Sequence, residues 1–171
     1  MKSTALRPGD VAIALQLSVS PANTLAETAH FVGRSIGEVH NATRRLASAR
    51  LLDAGERTVH TGILTRFIRY GVPHAFPPTF GGPAVGMGTA TGTAEPWVAD
   101  GSVDFVWPHA RGAQRGTAVA PLYPLTPEVV ERNRMLWHLL SLVDTVRIGG
   151  AREADAAIGH LAKLLEAAPA Q

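Results

Sequence analysis

Side chains that recognise polar ligands are concentrated in a short span of this sequence. They supply guanidinium, hydroxyl, imidazole and amide groups, with one glycine among them: Arg34, Ser35, Gly37, His40, Asn41, Arg44, Arg45 and Arg57. A guanidinium pairs with phosphate or with guanine, and an Asn amide pairs with adenine. This combination favours recognition of a nucleic acid, provided that one element presents the side chains together.

The residues that usually carry catalysis are present but lack the spacing that catalysis needs. The seven histidines form neither a His-x-x-x-His nor a His-Glu-x-x-His pattern, and the chain has no cysteine. The glycines around Gly86-Met-Gly88 are not followed by a lysine, as a phosphate-binding loop would require, and no Gly-x-Ser-x-Gly occurs. We therefore expect no enzymatic activity, no metal site and no cofactor.

Two consecutive helices are predicted to position the recognition residues. Thr24 and Glu27 form a capping-box pattern, and Gly33 is typical of the residue that ends a helix. Ser35 and Glu38 then repeat the capping box, so a second helix begins two residues after the glycine. Two capped helices joined by a short turn with a glycine predict a helix-turn-helix over residues 24–50.

The second helix is predicted to have one buried face and one exposed face. Ile36, Val39 and Leu46 recur at helical spacing, and we expect them in the core. The opposite face presents Gly37, Glu38, His40, Asn41, Arg44 and Arg45. Arg34 and Ser35, at the start of the helix, are placed to hold a backbone phosphate. Glu38 fits better as the capping partner of Ser35 than as a contact to cytosine.

A turn and a short β-prone segment follow this helix. Leu51 and Leu52 lead into the turn 53–56, and residues 57–60 alternate in a way that predicts a small β-wing carrying Arg57. Arg57 would then contact phosphate or the minor groove. A helix with a strong apolar stripe is expected over 61–70.

The stretch from Thr24 to Leu52 resembles the winged helix-turn-helix regulators of the MarR and IclR kind. It shares the Gly turn, the Ser-x-x-x-Val start and the Arg-Leu-x-x-x-x-Leu-Leu ending, here Ser35 to Val39 and Arg45 to Leu52. The resemblance covers residues 6–60, about a third of the chain. It implies that the helix from Ser35 enters the major groove of DNA. The last hundred residues resemble neither family's ligand domain, and no effector is indicated.

The remainder of the chain divides by composition. Glycine and proline dominate between residues 71 and 127, and we expect an extended connector there, with short β pieces at 74–76, 103–107 and 116–121. A long helix over 127–148, capped by Thr126 with Pro127 in its first turn, and a final helix over 152–167 complete the chain.

The predicted architecture is mainly α with a small β-wing. It comprises a winged helix-turn-helix at 1–71, a Gly/Pro-rich extended segment at 72–126 and C-terminal helices at 127–171. Residues 1–71 carry nine basic and five acidic side chains, a net charge of +4, whereas the remainder has a net charge of −2. A basic part joined to a mildly acidic part suits a nucleic-acid module fused to another unit.

These features predict a cytoplasmic regulator, repressor-like, that binds double-stranded DNA as a homodimer. The apolar stripes of the 127–148 helix are broad enough to contact a second subunit, and winged helices usually read paired half-sites. The start of the sequence predicts no signal peptide, and no apolar run is long enough to cross a membrane. The alternative is a non-enzymatic adaptor or antitoxin-like partner, which uses the winged helix or the Gly/Pro-rich segment to bind protein.

Overall fold

A computed structural model describes residues 4–20, 24–98 and 101–168. These ranges hold eight helices and three strands, so the fold is mixed α/β. The elements are α1 Pro8–Val19, α2 Leu25–Val32, α3 Ile36–Ser48, α4 Thr61–Tyr70, α5 Val72–Ala75, β1 Phe80–Thr89, β2 Ser102–Pro108, β3 Gln114–Val119, α6 Pro127–Arg132, α7 Arg134–Ile148 and α8 Ala151–Glu166.

Helices α2 and α3 begin where their capping boxes predict. Thr24 and Ser35 each accept a hydrogen bond from the backbone N–H of the Glu three residues later, and each Glu accepts one in return. Gly33 ends α2 in the left-handed conformation, with φ +69°. Helices α1, α2 and α3 pack against one another, and Val39, Ala42 and Leu46 of α3 are buried as predicted. Ile36 is a correction, since its side chain is 52% exposed.

The segment after α3 is a tight turn with a single β-bridge, between Leu52 and Val59. The Asp53 carboxylate accepts hydrogen bonds from the backbone N–H groups of Gly55 and Glu56, which fixes the turn and lowers the pKa of Asp53. The predicted turn is therefore present, but the main β structure of the described residues lies elsewhere.

The glycine-rich segment forms a three-stranded sheet, and its first strand, β1, lies in a part of the segment where the sequence predicts a connector without β structure. β1 pairs antiparallel with β2 and with β3, and β2 also pairs in parallel with β3, so the strands close on themselves. The β pieces expected at 103–107 and 116–121 correspond to β2 and β3. The piece expected at 74–76 is instead the end of α5, a short helix with Pro73 in its first turn.

Glycine is required where the backbones of the strands approach most closely. A Cβ atom on Gly86 would collide with the carbonyl of Trp107, and one on Gly112 would collide with the backbone of Gly86. A Cβ on Gly116 would lie 2.6 Å from the carbonyl oxygen of Val103. The glycines therefore permit tight packing of three backbones rather than flexibility.

The long C-terminal helix predicted over 127–148 is interrupted at Asn133. Its side chain accepts a hydrogen bond from the Leu136 N–H and donates to the Gln16 side chain and to the Phe31 carbonyl. It thereby caps α7 and joins it to α1 and α2. Pro127 begins α6 as predicted, but the Thr126 side chain does not cap that helix.

A buried ionic network joins α7 to the sheet. The Asp144 carboxylate accepts hydrogen bonds from Thr89 Oγ1 at 2.8 Å, Trp107 Nε1 at 2.6 Å and Arg147 Nη1 at 2.6 Å. Arg147 also donates to the carbonyls of Phe76 and Pro77. Burial raises the pKa of Asp144, and the Arg147 charge and the three hydrogen bonds oppose that rise.

One hydrophobic core runs through the described residues. It includes Leu15 of α1, Leu46 of α3, Ile68 of α4, Trp107 of β2 and Leu140 of α7. Helix α7 is buried within its own chain from Leu136 to Val146, and α4 packs on α8 with an ion pair between Arg69 and Asp155. None of the helices in the described ranges combines the length and the apolar character needed to span a membrane.

Substitution of Gly86 by alanine tests whether the sheet depends on close backbone approach. We expect Gly86→Ala to destabilise the protein by about 1 to 3 kcal/mol, because the added methyl group must displace the carbonyl of Trp107. Gly82→Ala, in the same strand, is the matched control, since a Cβ there would meet no atom within 4 Å. Urea unfolding measures both free energies, and equal stability of the two variants would contradict the packing argument.

Candidate nucleic-acid interface

Helix α3 presents a polar, solvent-exposed face opposite its buried one. Gly37, His40, Asn41 and Arg44 all lie on this face and are exposed. A Cβ at Gly37 would meet no atom within 4 Å, so another surface can approach the helix closely there. The structure thus brings together four of the eight residues predicted for recognition, with an amide, an imidazole and a guanidinium available for hydrogen bonds.

Arg45 differs from these residues because it is engaged in an internal ion pair, which does not favour its predicted role in recognition. Its guanidinium forms two hydrogen bonds with the Asp10 carboxylate, Nε to Oδ2 at 2.8 Å and Nη2 to Oδ1 at 2.6 Å. The side chains of Arg45 and Asp10 are 13% and 2% exposed. This hydrogen bonding raises the pKa of Arg45, and the pair ties α3 to the first turn of α1.

Ser35 and Glu38 are committed to capping α3. The Ser35 hydroxyl donates to the Glu38 carboxylate at 2.7 Å and accepts from the Glu38 N–H at 3.2 Å. The hydrogen bonds from Ser35 lower the pKa of Glu38, with a smaller contribution from the Arg34 charge. The Ser35 hydroxyl therefore caps α3 and is not free to hold a phosphate as predicted.

Arg34 lies against an aromatic ring from a distant part of the chain. Its guanidinium carbon is 4.8 Å from the centroid of the Tyr123 ring. The Tyr123 hydroxyl donates a hydrogen bond to the Val32 carbonyl at 2.6 Å, and burial raises its pKa to about 12. Tyr123 therefore stays neutral, joins the segment before α6 to the end of α2 and orients Arg34.

A cleft of about 840 Å³ opens beside α3. One wall is α3, another is the start of α1, and the third is the segment 122–124. Arg7, Arg34, Asn41 and Arg44 line it, and the Asp10–Arg45 pair is part of the same lining. The cleft and the exposed face of α3 thus share Asn41 and Arg44.

The charges that line the cleft are unequally neutralised. The Asp10 charge is neutralised by Arg45, whereas the Glu38 carboxylate accepts hydrogen bonds from Ser35 and keeps its negative charge. Across residues 4–20, 24–98 and 101–168, the ion pairs involve other cations and leave Arg7, Arg34 and Arg44 without a carboxylate partner. The cleft consequently offers guanidinium donors in excess of acceptors, which suits an anion.

Arg57 lies apart from the cleft lining. It is exposed in the turn after α3, with φ +56°, a conformation that few residues other than glycine adopt. Four of the predicted residues therefore line the cleft, namely Arg34, Asn41, Arg44 and the paired Arg45, while Gly37 and His40 extend the surface along α3.

Three contributors to this region were missed at the sequence level. Ile36 is exposed at the start of α3, Arg7 reaches the cleft from the residue before α1, and Tyr123 comes from a segment 80 to 90 residues further along the chain. Helical periodicity assigns Ile36 to the core, and its exposure becomes visible only in the three-dimensional structure. No local pattern links Arg7 or Tyr123 to α3.

No group of three or more His, Asp or Glu side chains in the described part of the chain is arranged to hold a metal ion. The region's chemistry, as the structure gives it, is that of hydrogen-bond donors and positive charge.

Adjacent arginines of α3 provide a direct test of these assignments. Arg45→Ala should lower the free energy of unfolding by about 3 kcal/mol, because it leaves the Asp10 carboxylate buried and unpaired. Arg44→Ala removes the same charge from an exposed position and should change stability by less than about 0.5 kcal/mol. Urea unfolding measures both, and a large loss in Arg44→Ala, or none in Arg45→Ala, would contradict this division.

Comparison with models of protein families, with curated proteins and with solved structures gave no match to this chain.

Proposed function

We propose that the protein is a cytoplasmic transcription regulator, repressor-like, that binds double-stranded DNA through α3. The observation that carries the proposal is the exposed face of α3, where Asn41 and Arg44 are solvent-accessible and Arg44 forms no ion pair with a carboxylate of the described residues. A helix with one buried and one polar face can lie in the major groove, where such side chains reach base edges.

The surroundings of α3 support a winged helix-turn-helix interpretation. Helix α2 ends at Gly33 and α3 begins two residues later, so the two helices are joined by a short, fixed turn. The turn carrying Arg57 follows α3 and can contact the sugar-phosphate backbone beside it. Ile36 adds an apolar side chain at the tip of α3, which suits contact with a thymine methyl group.

Positive charge beside α3 would supply affinity independent of sequence. Within the residues that the structure describes, Arg34 and Arg44 form no ion pair with a carboxylate. Each contact of such a side chain with phosphate releases counterions from DNA. We assign Asn41 and Arg44 to base recognition and Arg34 and Arg57 to phosphate.

The adaptor alternative has one observation in its favour, the 52% exposure of Ile36. An exposed isoleucine among polar side chains also suits a protein partner. The two functions differ in their response to salt, since binding that depends on phosphates weakens steeply with ionic strength.

DNA binding is tested by selecting preferred duplexes from a random pool and measuring affinity by fluorescence anisotropy at several salt concentrations. We expect a steep loss of affinity between 50 and 200 mM salt, of the order of a hundredfold or more. Asn41→Ala and Arg44→Ala should each weaken the selected sequence by about 1 to 3 kcal/mol and bind a scrambled duplex almost as before.

Arg152→Ala, which removes an exposed charge from α8, is the matched control for Arg44→Ala. Selection that yields no preferred sequence, or variants that bind the selected duplex as tightly as the wild type, would contradict the proposal. The adaptor function would be favoured if the chain bound a protein partner with an affinity that does not change with salt and that is lost in Ile36→Ser.

We also propose that two copies bind together, because winged helices commonly read symmetric half-sites. The apolar faces of α7 cannot form the contact as first expected, since they are buried against the chain itself. Light scattering at micromolar concentration should give the mass of a dimer, alone or on a duplex with two half-sites. A single chain per duplex would refute this part of the proposal.

A further inference from the structure

We infer that the cleft beside α3 binds a phosphorylated small molecule. This inference deepens the proposed function and, in its regulatory consequence, rests on it. The cleft is lined by Arg7, Arg34 and Arg44, and its volume of about 840 Å³ falls within the range of small-molecule sites.

The charges of the cleft define the class of ligand. Four arginines and two carboxylates line the cleft. Asp10 is paired with Arg45, and the exposed Glu38 carboxylate accepts hydrogen bonds from Ser35 but keeps its charge, so positive charge remains in excess. Three guanidinium groups, of Arg7, Arg34 and Arg44, form no ion pair with a carboxylate in the described part of the chain, and the exposed Asn41 amide adds a further donor. A ligand rich in charged oxygen atoms satisfies this set, and guanidinium forks match the geometry of phosphate.

The walls of the cleft are fixed by contacts that leave the guanidinium groups of Arg7, Arg34 and Arg44 outside ion pairs in the described part of the chain. The Asp10–Arg45 pair holds α1 against α3, and the hydrogen bond from Tyr123 to the Val32 carbonyl holds the segment 122–124 in place. The Tyr123 ring also keeps the Arg34 guanidinium at 4.8 Å from its centroid. The walls and the Arg34 guanidinium are thus positioned before a ligand binds, which reduces the entropy lost on binding.

The location of the cleft gives the ligand a regulatory effect. Asn41 and Arg44 line the cleft and also lie on the exposed face of α3. A phosphorylated molecule bound there engages the arginines that the proposed DNA complex needs. Ligand and duplex therefore compete, and the bound molecule acts as an inducer that releases DNA.

Titration calorimetry with inorganic pyrophosphate, at constant ionic strength, tests the site without any DNA. The wild-type protein should bind one pyrophosphate per chain with saturation, and Arg7→Gln and Arg34→Gln should each weaken binding at least tenfold. Arg152→Gln is the matched control and should bind as the wild type does. Thermal unfolding of each variant checks that the fold is retained, and two independent variants keep the test valid if one of them unfolds.

Absence of saturable binding, or equal binding by the wild type and both cleft variants, would overturn the inference. Citrate that binds as tightly as pyrophosphate would overturn the assignment to phosphate. A separate anisotropy experiment with the selected duplex decides the consequence, since pyrophosphate should displace the duplex at the concentration that saturates the cleft. Pyrophosphate binding without DNA binding would sustain the site and refute the proposed function, whereas DNA binding unaffected by saturating pyrophosphate would refute the competition.

Discussion

The fold depends on the burial of one carboxylate. Asp144 is fully buried in α7 and accepts hydrogen bonds from β1, from β2 and from Arg147 one turn further along its own helix. A charge in this position is tolerated only because a cation and two neutral donors surround it, and the loss of any one would leave part of the desolvation cost unbalanced. The network thereby fixes where the small sheet sits on α7, and Arg147 fixes the chain that enters β1.

This placement determines the rest of the architecture in turn. With the sheet held on one side of α7, the helix has its remaining surface free for α1, α4, α5, α6 and α8, all of which contact it or its immediate neighbours. The N-terminal helices are therefore not an appendage. Asn133 hydrogen-bonds both Gln16 and the Phe31 carbonyl, and Arg132 donates to the His30 carbonyl, so α2 is attached to the C-terminal helices at its end.

The helices were more predictable than the sheet because their signals are local. Thr24, Gly33 and Ser35 fix the ends of α2 and α3 through contacts within three or four residues, and such patterns are visible in sequence. The glycines of β1 act through backbones that are distant in sequence, so the composition of β1 suggested an extended connector, whereas the β pieces expected at 103–107 and 116–121 correspond to β2 and β3. Asn133 carries a capping signal that the continuous apolar pattern of 127–148 concealed.

In the candidate site, too, the sequence predicts what local helical geometry determines and misses contacts between residues that are distant in sequence. Spacing on α3 correctly indicates that Asn41 and Arg44 are exposed, since helical geometry alone determines it. It cannot separate Arg44 from Arg45, because the residue that captures Arg45 lies 35 positions away in α1. Periodicity assigns Ile36 to the core, yet about half of its side chain is exposed in the first turn of α3.

Tyr123 has a consequence for how such a protein could arise or be re-engineered. Its hydroxyl bonds to the end of α2, its ring packs beside Gly9 of α1 and beneath Arg34, and it completes a wall of the cleft. The helical segment that bears α3 is therefore not an exchangeable cassette. Transplanted alone to another protein, this segment would lose one wall of the cleft and the ring that supports Arg34. Recombination that moved only this segment would leave the recognition surface incomplete. The N-terminal helices and the segment that bears Tyr123 must therefore be inherited together.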